Sequence, residues 1–428
     1  MRTLTSILLG KAIYGLTRFS KTGGGSAAPG LYSLKIQPKL TSSLASQIPQ
    51  NIIITGTNGK TTTSRMLSQF LESGGFRVLH NSTGSNLERG IASTLLSAVD
   101  FQGKIEGIDI GLWETDEAAF NKLVFQLKPQ FIVFLNVFRD QLDRYGEVDS
   151  VVSKWQQALK KIDWNPTILV NGNDGHTLSL AKNKNTQPII FRVDDIRLKW
   201  EKEANLDPKT KVISAKITKN NGLKGNRVEV SLNQKKASFD IPVPGKYHVF
   251  DFLASFALAN LIGIKYIQIK ESLTKFSPAF GRVEKLKLGK KEGYIFLIKN
   301  PAGASSVFET IQPELKKADR ILIALNDNFA DGTDVSWIWD GEFEQLITKE
   351  GVQVICSGKR AHDLAVRLKY AGINQDSLIV VNDFEQAFLQ AKQGLRGRLF
   401  ILPTYTALLE LQKILSQAGI KKEYWEED

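Results

Sequence analysis

The chain has 428 residues, 42% of them hydrophobic, which is too long for one small core and too apolar for a disordered protein, so two or three domains are expected. Its formal charge of +12 favours anionic partners such as nucleotides, phosphorylated precursors or the negative face of a membrane, whereas lysines without interleaved aromatic pairs argue against nucleic acid. A single cysteine, Cys356, excludes an internal disulfide and any multi-cysteine metal site, and no apolar stretch suits a transmembrane segment, so a cytoplasmic location is expected.

Arg2, Lys11 and Arg18 are spread among apolar residues instead of preceding one unbroken apolar run, so residues 6–17 predict a helix packed on the body and not a signal peptide. The Gly/Ser/Ala-rich stretch 21–30 ends in Pro29-Gly30, separates that helix from the remainder of the chain, and is a second candidate to line a phosphate. Residues 51–55 are a β-branched run that passes into Gly56-Thr57-Asn58-Gly59-Lys60-Thr61-Thr62 and then a helical pattern. Apolar runs at 108–113, 131–137 and 168–170, separated by helical patterns, predict a parallel sheet with crossover helices. From 191 to 241 short alternating segments, divided by Asn220-Asn221-Gly222, predict antiparallel hairpins inserted in that frame. A helix follows Pro244-Gly245 through 250–262, and runs at 294–298, 321–325, 352–356, 377–381 and 399–402 predict a second, Rossmann-like domain. The expected division is 1–45 (helix and Gly-rich segment), 46–290 (central domain, with the insertion at 191–241) and 291–428, an α/β fold throughout.

The strand-loop-helix at 51–62 carries the strongest chemical signal. Phosphates need successive backbone N–H donors, a helix N-terminus and a lysine charge, and a hydroxyl after the lysine can hold magnesium. Thr57, Asn58, Gly59, Lys60, Thr61 and Thr62 are therefore expected to bind ATP. The common pattern G-x-x-x-x-G-K-[ST] misses the string because residue 54 is Ile. A Gly-rich turn with only a structural role would not explain Lys60-Thr61-Thr62 at the helix start.

This string resembles the ATP loop of the Mur ligase superfamily. The similarity continues through Glu114 in Leu112-Trp113-Glu114-Thr115, Asn136 and Asp140 in the segment 135–146, Asn171 and Asp174 after the next strand, and Phe280-Gly281-Arg282-Val283-Glu284. The resemblance implies that Glu114 and Thr61 bind Mg2+, that Asn136 belongs to the nucleotide site, and that Arg282 approaches the terminal phosphate. The strings 136–145, 300–304, 325–340 and 402–408 look like one branch, the MurT family, ligase subunits of lipid II isoglutaminyl synthase. That implies a Mur ligase central domain followed by a MurT-type Rossmann-like domain, with a GatD-type glutamine amidotransferase as partner.

Independently of any family, the segment 326–340 follows an apolar strand and carries Asp327, Asp331, Asp334 and Asp340 beside Trp337 and Trp339. Acids at that density are costly if buried without partners, and loops at the carboxyl ends of strands are where open α/β sheets place their sites. Asp334, Asp331 and Asp327 are the catalytic candidates. The spacing of an EF-hand calcium loop is absent.

Two departures from the resemblance matter. Many MurT proteins carry a four-cysteine zinc ribbon in the insertion, and this chain cannot, so no zinc is expected. Where the superfamily usually has asparagines this chain reads Tyr247-His248-Val249-Phe250-Asp251, so adenine contacts do not carry over there. Gln141 also stands where several Mur ligases place a metal-binding histidine, which fits the MurT branch. The reading implied is ATP-dependent amidation of the D-glutamate α-carboxylate of the lipid II stem peptide through an acyl phosphate, at the inner membrane face. The alternatives are another Mur-type ligase resembling folylpolyglutamate synthase, or a non-catalytic nucleotide-binding scaffold.

Overall fold

The computed structural model describes residues 2–19, 27–82, 85–138, 148–183, 185–194, 210–278, 281–346 and 351–420. Fifteen strands among them form two sheets, one of nine strands in the order β2-β3-β1-β4-β5-β6-β7-β8-β9 and one of six in the order β10-β11-β15-β12-β13-β14.

In the first sheet, β1 (Gln50–Thr55) lies between β3 (Ile110–Thr115) and β4 (Phe131–Phe134), all parallel. It is buried on both faces, as parallel strands covered by crossover helices must be. Ile52 and Ile54 enter a core with Met66, Phe70, Phe252 and Phe256, whereas Ile53 faces the opposite core with Trp113, Phe134 and Trp155. The first core is roofed by the helices Lys60–Ser73 and Tyr247–Ile262, the second by Glu88–Ala98, Phe120–Leu127 and Val148–Lys161. β2 (Val78–His80) closes one edge beside β3, and β5 (Thr167–Asn171) extends the sheet on the other side of β4.

The helix expected over 6–17 spans Arg2–Phe19 and packs on the helix Ala28–Ile36 through reciprocal bonds: the hydroxyls of Ser6 and Ser33 each donate to the other's carbonyl, at 2.8 and 2.9 Å. Residues 21–26 of the Gly-rich stretch lie outside the described residues, and Gly30 sits against the backbone of Arg89 and Ser93.

The segment expected as an insertion is built into the sheet. β6 (Gln187–Asp194) runs parallel to β5, and β7 (Lys211–Asn220) runs parallel to β6. From the Asn-Asn-Gly turn onward the pairing is antiparallel as expected: β7, β8 (Asn226–Leu232) and β9 (Lys235–Ile241) form a meander. Phe239 fixes its inner face against Phe252 and Phe256, with ring centroids 5.3 and 5.1 Å away.

The second sheet starts earlier than expected. β10 (Arg282–Leu288) pairs antiparallel with β11 (Lys291–Phe296), so a division at 290/291 would cut a hairpin, and we place it before Arg282. β11, β15 (Leu399–Pro403), β12 (Arg320–Ala324), β13 (Gln353–Ser357) and β14 (Leu378–Val380) are all parallel. Val283 joins the halves. It packs against cores of both sheets and holds a left-handed φ of 64° at an irregularity of β10, a conformation that a β-branched residue adopts only when its surroundings enforce it.

Candidate active site

The turn after β1 is tight because its glycines permit it: Gly56 has φ 141° and Gly59 φ 87°. A Cβ on Gly59 would stand 2.1 Å from Asp251 Oδ1, so the loop lies directly on the helix Tyr247–Ile262. The loop is held from the side by the segment after β4. Thr57 N–H donates to Asn136 O at 3.0 Å, Asn58 N–H donates to Asn136 Oδ1 at 2.8 Å, and Asn136 Nδ2 donates back to Asn58 O at 3.0 Å. That segment is itself tied down, since Asn171 Nδ2 donates to Leu135 O and Asp174 Oδ2 accepts from Val137 N–H at 2.7 Å. Burial raises the Asp174 carboxyl above its usual range, opposed by the N–H groups of Val137 and His176. Asn136 thus grips the loop backbone, while Asp140 and Gln141 lie outside the described residues.

Lys60, the first residue of its helix, is buried and paired. Its Nζ donates to the carbonyls of Gly56 and Thr57 and stands 3.2 Å from Glu117 Oε2, both side chains being nearly excluded from solvent. Sequence reasoning missed Glu117, whose only signal was its place three residues beyond Glu114 at the carboxyl end of β3. Glu114 is where the resemblance predicts a metal ligand. Its Oε2 accepts from Thr61 Oγ1 at 2.9 Å, its Oε1 lies 3.1 Å from His80 Nε2, and its backbone is clamped by Asn81. A buried carboxylate bonded to a hydroxyl at a helix N-terminus is a hard-oxygen donor set that suits Mg2+ beside a triphosphate. His80 and Asn81 come from β2 and its exit, more than 30 residues before Glu114 in sequence, and nothing in the string announced them.

Thr62 and Thr63 are buried behind the loop. Thr63 Oγ1 donates to Asp251 Oδ1 at 3.3 Å, and the other Asp251 oxygen lies 2.9 Å from His248 Nδ1. Where asparagines were absent from the sequence, the structure therefore has an imidazole–carboxylate pair under the phosphate loop. Tyr247 lies against His248 with ring centroids 4.1 Å apart, and burial pushes its hydroxyl above the usual range, with Asp251 adding to the shift and Arg282 opposing it. Arg282 is half-buried and makes no ion pair among the described residues, so its charge is available to an anion.

The second sheet brings its own carboxyl edge to the same loop. Asn300 follows β11, caps the helix Pro301–Ile311 by accepting from Gly303 N–H, and exchanges amide bonds with Asn58: Nδ2 of Asn300 donates to Asn58 Oδ1 at 3.0 Å and Nδ2 of Asn58 to Asn300 Oδ1 at 3.3 Å. Lys299 Nζ reaches Thr57 O at 3.5 Å.

The three acids expected to be catalytic stand in different surroundings. Asp331 is buried, and both its oxygens accept from Thr406, one from the N–H and one from the hydroxyl; the same hydroxyl accepts from Asn326 Nδ2 and Asn328 Nδ2. It fastens the loop after β12 to the start of the helix Tyr405–Gln417. Asp327 pairs with Arg360 at 3.6 Å. Asp334 is exposed, with Oδ1 accepting from Ser336 N–H at 2.8 Å.

Two family models match the chain, the Mur ligase middle domain over residues 54–259 and the MurT ligase C-terminal domain over 297–408. The lipid II isoglutaminyl synthase (glutamine-hydrolyzing) subunit MurT of Streptococcus pneumoniae (strain ATCC BAA-255 / R6) is 30% identical over 98% of this chain and 98% of its own length. The chain belongs to the MurT family of Mur ligases. MurT of Staphylococcus aureus (strain COL) is 27% identical over 98% of this chain and 99% of its own. Among solved structures, a MurF from Acinetobacter baumannii shares the fold at 16% identity with a TM-score of 0.68, covering 91% of this chain and 80% of its own. The MurF ligase of Thermotoga maritima, determined in complex with ADP, shares it at 13% identity and a TM-score of 0.66, over 92% and 85%. Membership makes the chain a ligase of the peptidoglycan-building class, and ATP binding is typical of MurT's relatives. Among the described residues no helix is long and apolar enough to cross a membrane.

Proposed function

We propose that this chain activates the D-glutamate α-carboxylate of the lipid II stem peptide with ATP and transfers it to ammonia released by a GatD-type glutaminase partner, at the inner face of the cytoplasmic membrane. The observation that carries the reading is the meeting of two carboxyl edges: the phosphate loop of the first sheet is clasped by Asn300 of the second, so activation and transfer would share one cleft. A carboxylate oxygen attacks the γ-phosphorus and the bond to the β-phosphate oxygen breaks, releasing ADP. The ammonia lone pair then attacks the acyl carbon, the bond to the phosphate oxygen breaks, and nitrogen loses a proton. The protein supplies position and charge. Lys60 would turn from Glu117 to the phosphates and Arg282 would balance the terminal one. Mg2+ held by Thr61 and Glu114 would add charge neutralisation on the triphosphate.

Of the three candidate acids Asp334 is exposed, where a partner could reach it, and we assign it to the ammonia side. Asp334→Asn keeps an acceptor for the Ser336 N–H while removing the charge. Nucleotide affinity is expected to persist while glutamine-driven amidation falls by about 10²-fold or more. Rescue by added ammonium assigns Asp334 to the partner's glutaminase centre, and failure of rescue assigns it to the acyl-phosphate step. Wild-type rates with both nitrogen sources would remove it from the mechanism.

A further inference from the structure

The helix Arg2–Phe19 buries Ser6, Ile7 and Gly10 against the body. At 100° per residue, the opposite face carries Leu4, Leu8, Ala12, Leu16 and Leu9, with Thr5 among them. These leucines are 44%, 46%, 70% and 37% exposed for Leu4, Leu8, Leu16 and Leu9, so an apolar stripe about three turns long points outward. A face of this kind on a surface helix is ordinarily polar.

Three further observations say what covers it. Arg2 and Lys11 stand on the two borders of the stripe, where long cationic side chains can lie along apolar surface and keep their charge in the headgroup layer. Lys11 Nζ lies 5.1 Å from the ring centroid of Phe101, itself 69% exposed, which widens the apolar area beyond the helix. The neighbouring Asp100 turns inward to its own loop, accepting from Gln102 and Lys104 N–H at 2.8 Å each. The first 50 residues also contain Arg2, Lys11, Arg18, Lys21, Lys35 and Lys39 but no acid, the first being Glu72. Apolar tips ringed by positive charge, with no negative charge in the segment, complement an anionic lipid bilayer.

We infer that the outer face of this N-terminal helix docks the protein on an anionic membrane surface, lying in the plane of the headgroups without crossing. The inference deepens the reading of a lipid-borne substrate, since docking would confine the enzyme to the surface where that substrate resides.

The test is cosedimentation of the full chain with vesicles of phosphatidylglycerol and phosphatidylcholine in equal parts, against phosphatidylcholine alone. Wild type is expected to bind the anionic vesicles, more weakly as salt rises, with about fivefold lost for each of Arg2→Gln and Lys11→Gln. The double variant Leu8→Gln/Leu16→Gln alters only exposed side chains, so its melting temperature should be unchanged while partition falls by about tenfold or more. Equal partition of wild type and this variant, or no binding to anionic vesicles, overturns the inference. So does a dimer in light scattering that the same variant dissociates, because the face would then belong to a second copy. Amidation of a short-chain, detergent-soluble substrate should be unaffected by the double variant. Wild type that amidates this substrate without binding vesicles therefore sinks the docking face alone, and vesicle binding without amidation sinks the function alone.

Discussion

Lys60 and Glu117 form the pair on which the site turns. A buried lysine matched to a carboxylate is stored in the loop without an unpaired charge, and an incoming triphosphate offers the same charge in exchange. Lys60→Ala should lower turnover by about 10²–10³-fold and should also destabilise the protein, because it leaves Glu117 buried and unpaired. Adding Glu117→Gln should restore the melting temperature while activity stays low. Restored turnover in the double variant, measured as ADP release, would show that Lys60 serves the fold alone. The lysine was legible in the sequence because its role sits in one contiguous string. The glutamate was not, because the pairing spans 57 residues and arises only when β3 is laid beside β1.

Between elements, the clasp that joins the phosphate loop to the helix Pro301–Ile311 has no sequence signature, since Asn58 and Asn300 are 242 residues apart. Asn300→Asp separates its two tasks. The carboxylate still caps the helix by accepting from Gly303 N–H, but it has no N–H to give Asn58 Oδ1. The melting temperature should move little, and KM for ATP should rise by about three- to thirtyfold, the range expected when one inter-element hydrogen bond is lost. Unchanged ATP kinetics would make the clasp incidental. Periodicity located the strands well because parallel strands buried on both faces read as unbroken apolar runs, as at Ile52–Ile53–Ile54 and Ile321–Leu322–Ile323. It misplaced the start of the second sheet because β10 alternates charged and apolar residues, Lys285-Leu286-Lys287-Leu288, and such an edge strand does not say which sheet it joins. The same limit turned β6 and β7 into an expected insertion, when their parallel pairing continues the main sheet.

For the protein taken together, one buried group reports on global stability. Cys356, on β13 between β12 and β14 of the second sheet, has its thiol pushed by burial up to about 12. A folded value above the unfolded one of about 8.5 means that the neutral thiol's contribution is complete below about pH 8.5 and is lost as pH rises toward 12, because the unfolded chain ionises first. The melting temperature of wild type should therefore fall more steeply above about pH 8.5 than that of Cys356→Ala, and parallel curves would deny the shift. The resemblance to one ligase family was readable in short strings, and the match to MurT along 98% of both chains agrees with it. What the strings withheld is how the halves combine, which rests on Val283 packed against both cores and on the bonds between Asn58 and Asn300.

If this cleft couples ATP cleavage to amide formation on a lipid-borne carboxylate, both products must appear together. The most direct measurement is mass spectrometry of lipid II incubated with the chain, a GatD-type partner, glutamine, ATP and magnesium, with ADP followed in the same tube. Conversion of one stem-peptide carboxylate to its amide, with one ADP formed per amide and both products lost in the Lys60→Ala variant, is the predicted result. Tight nucleotide binding with no amide and no ADP, or amidation that survives removal of ATP, would contradict it.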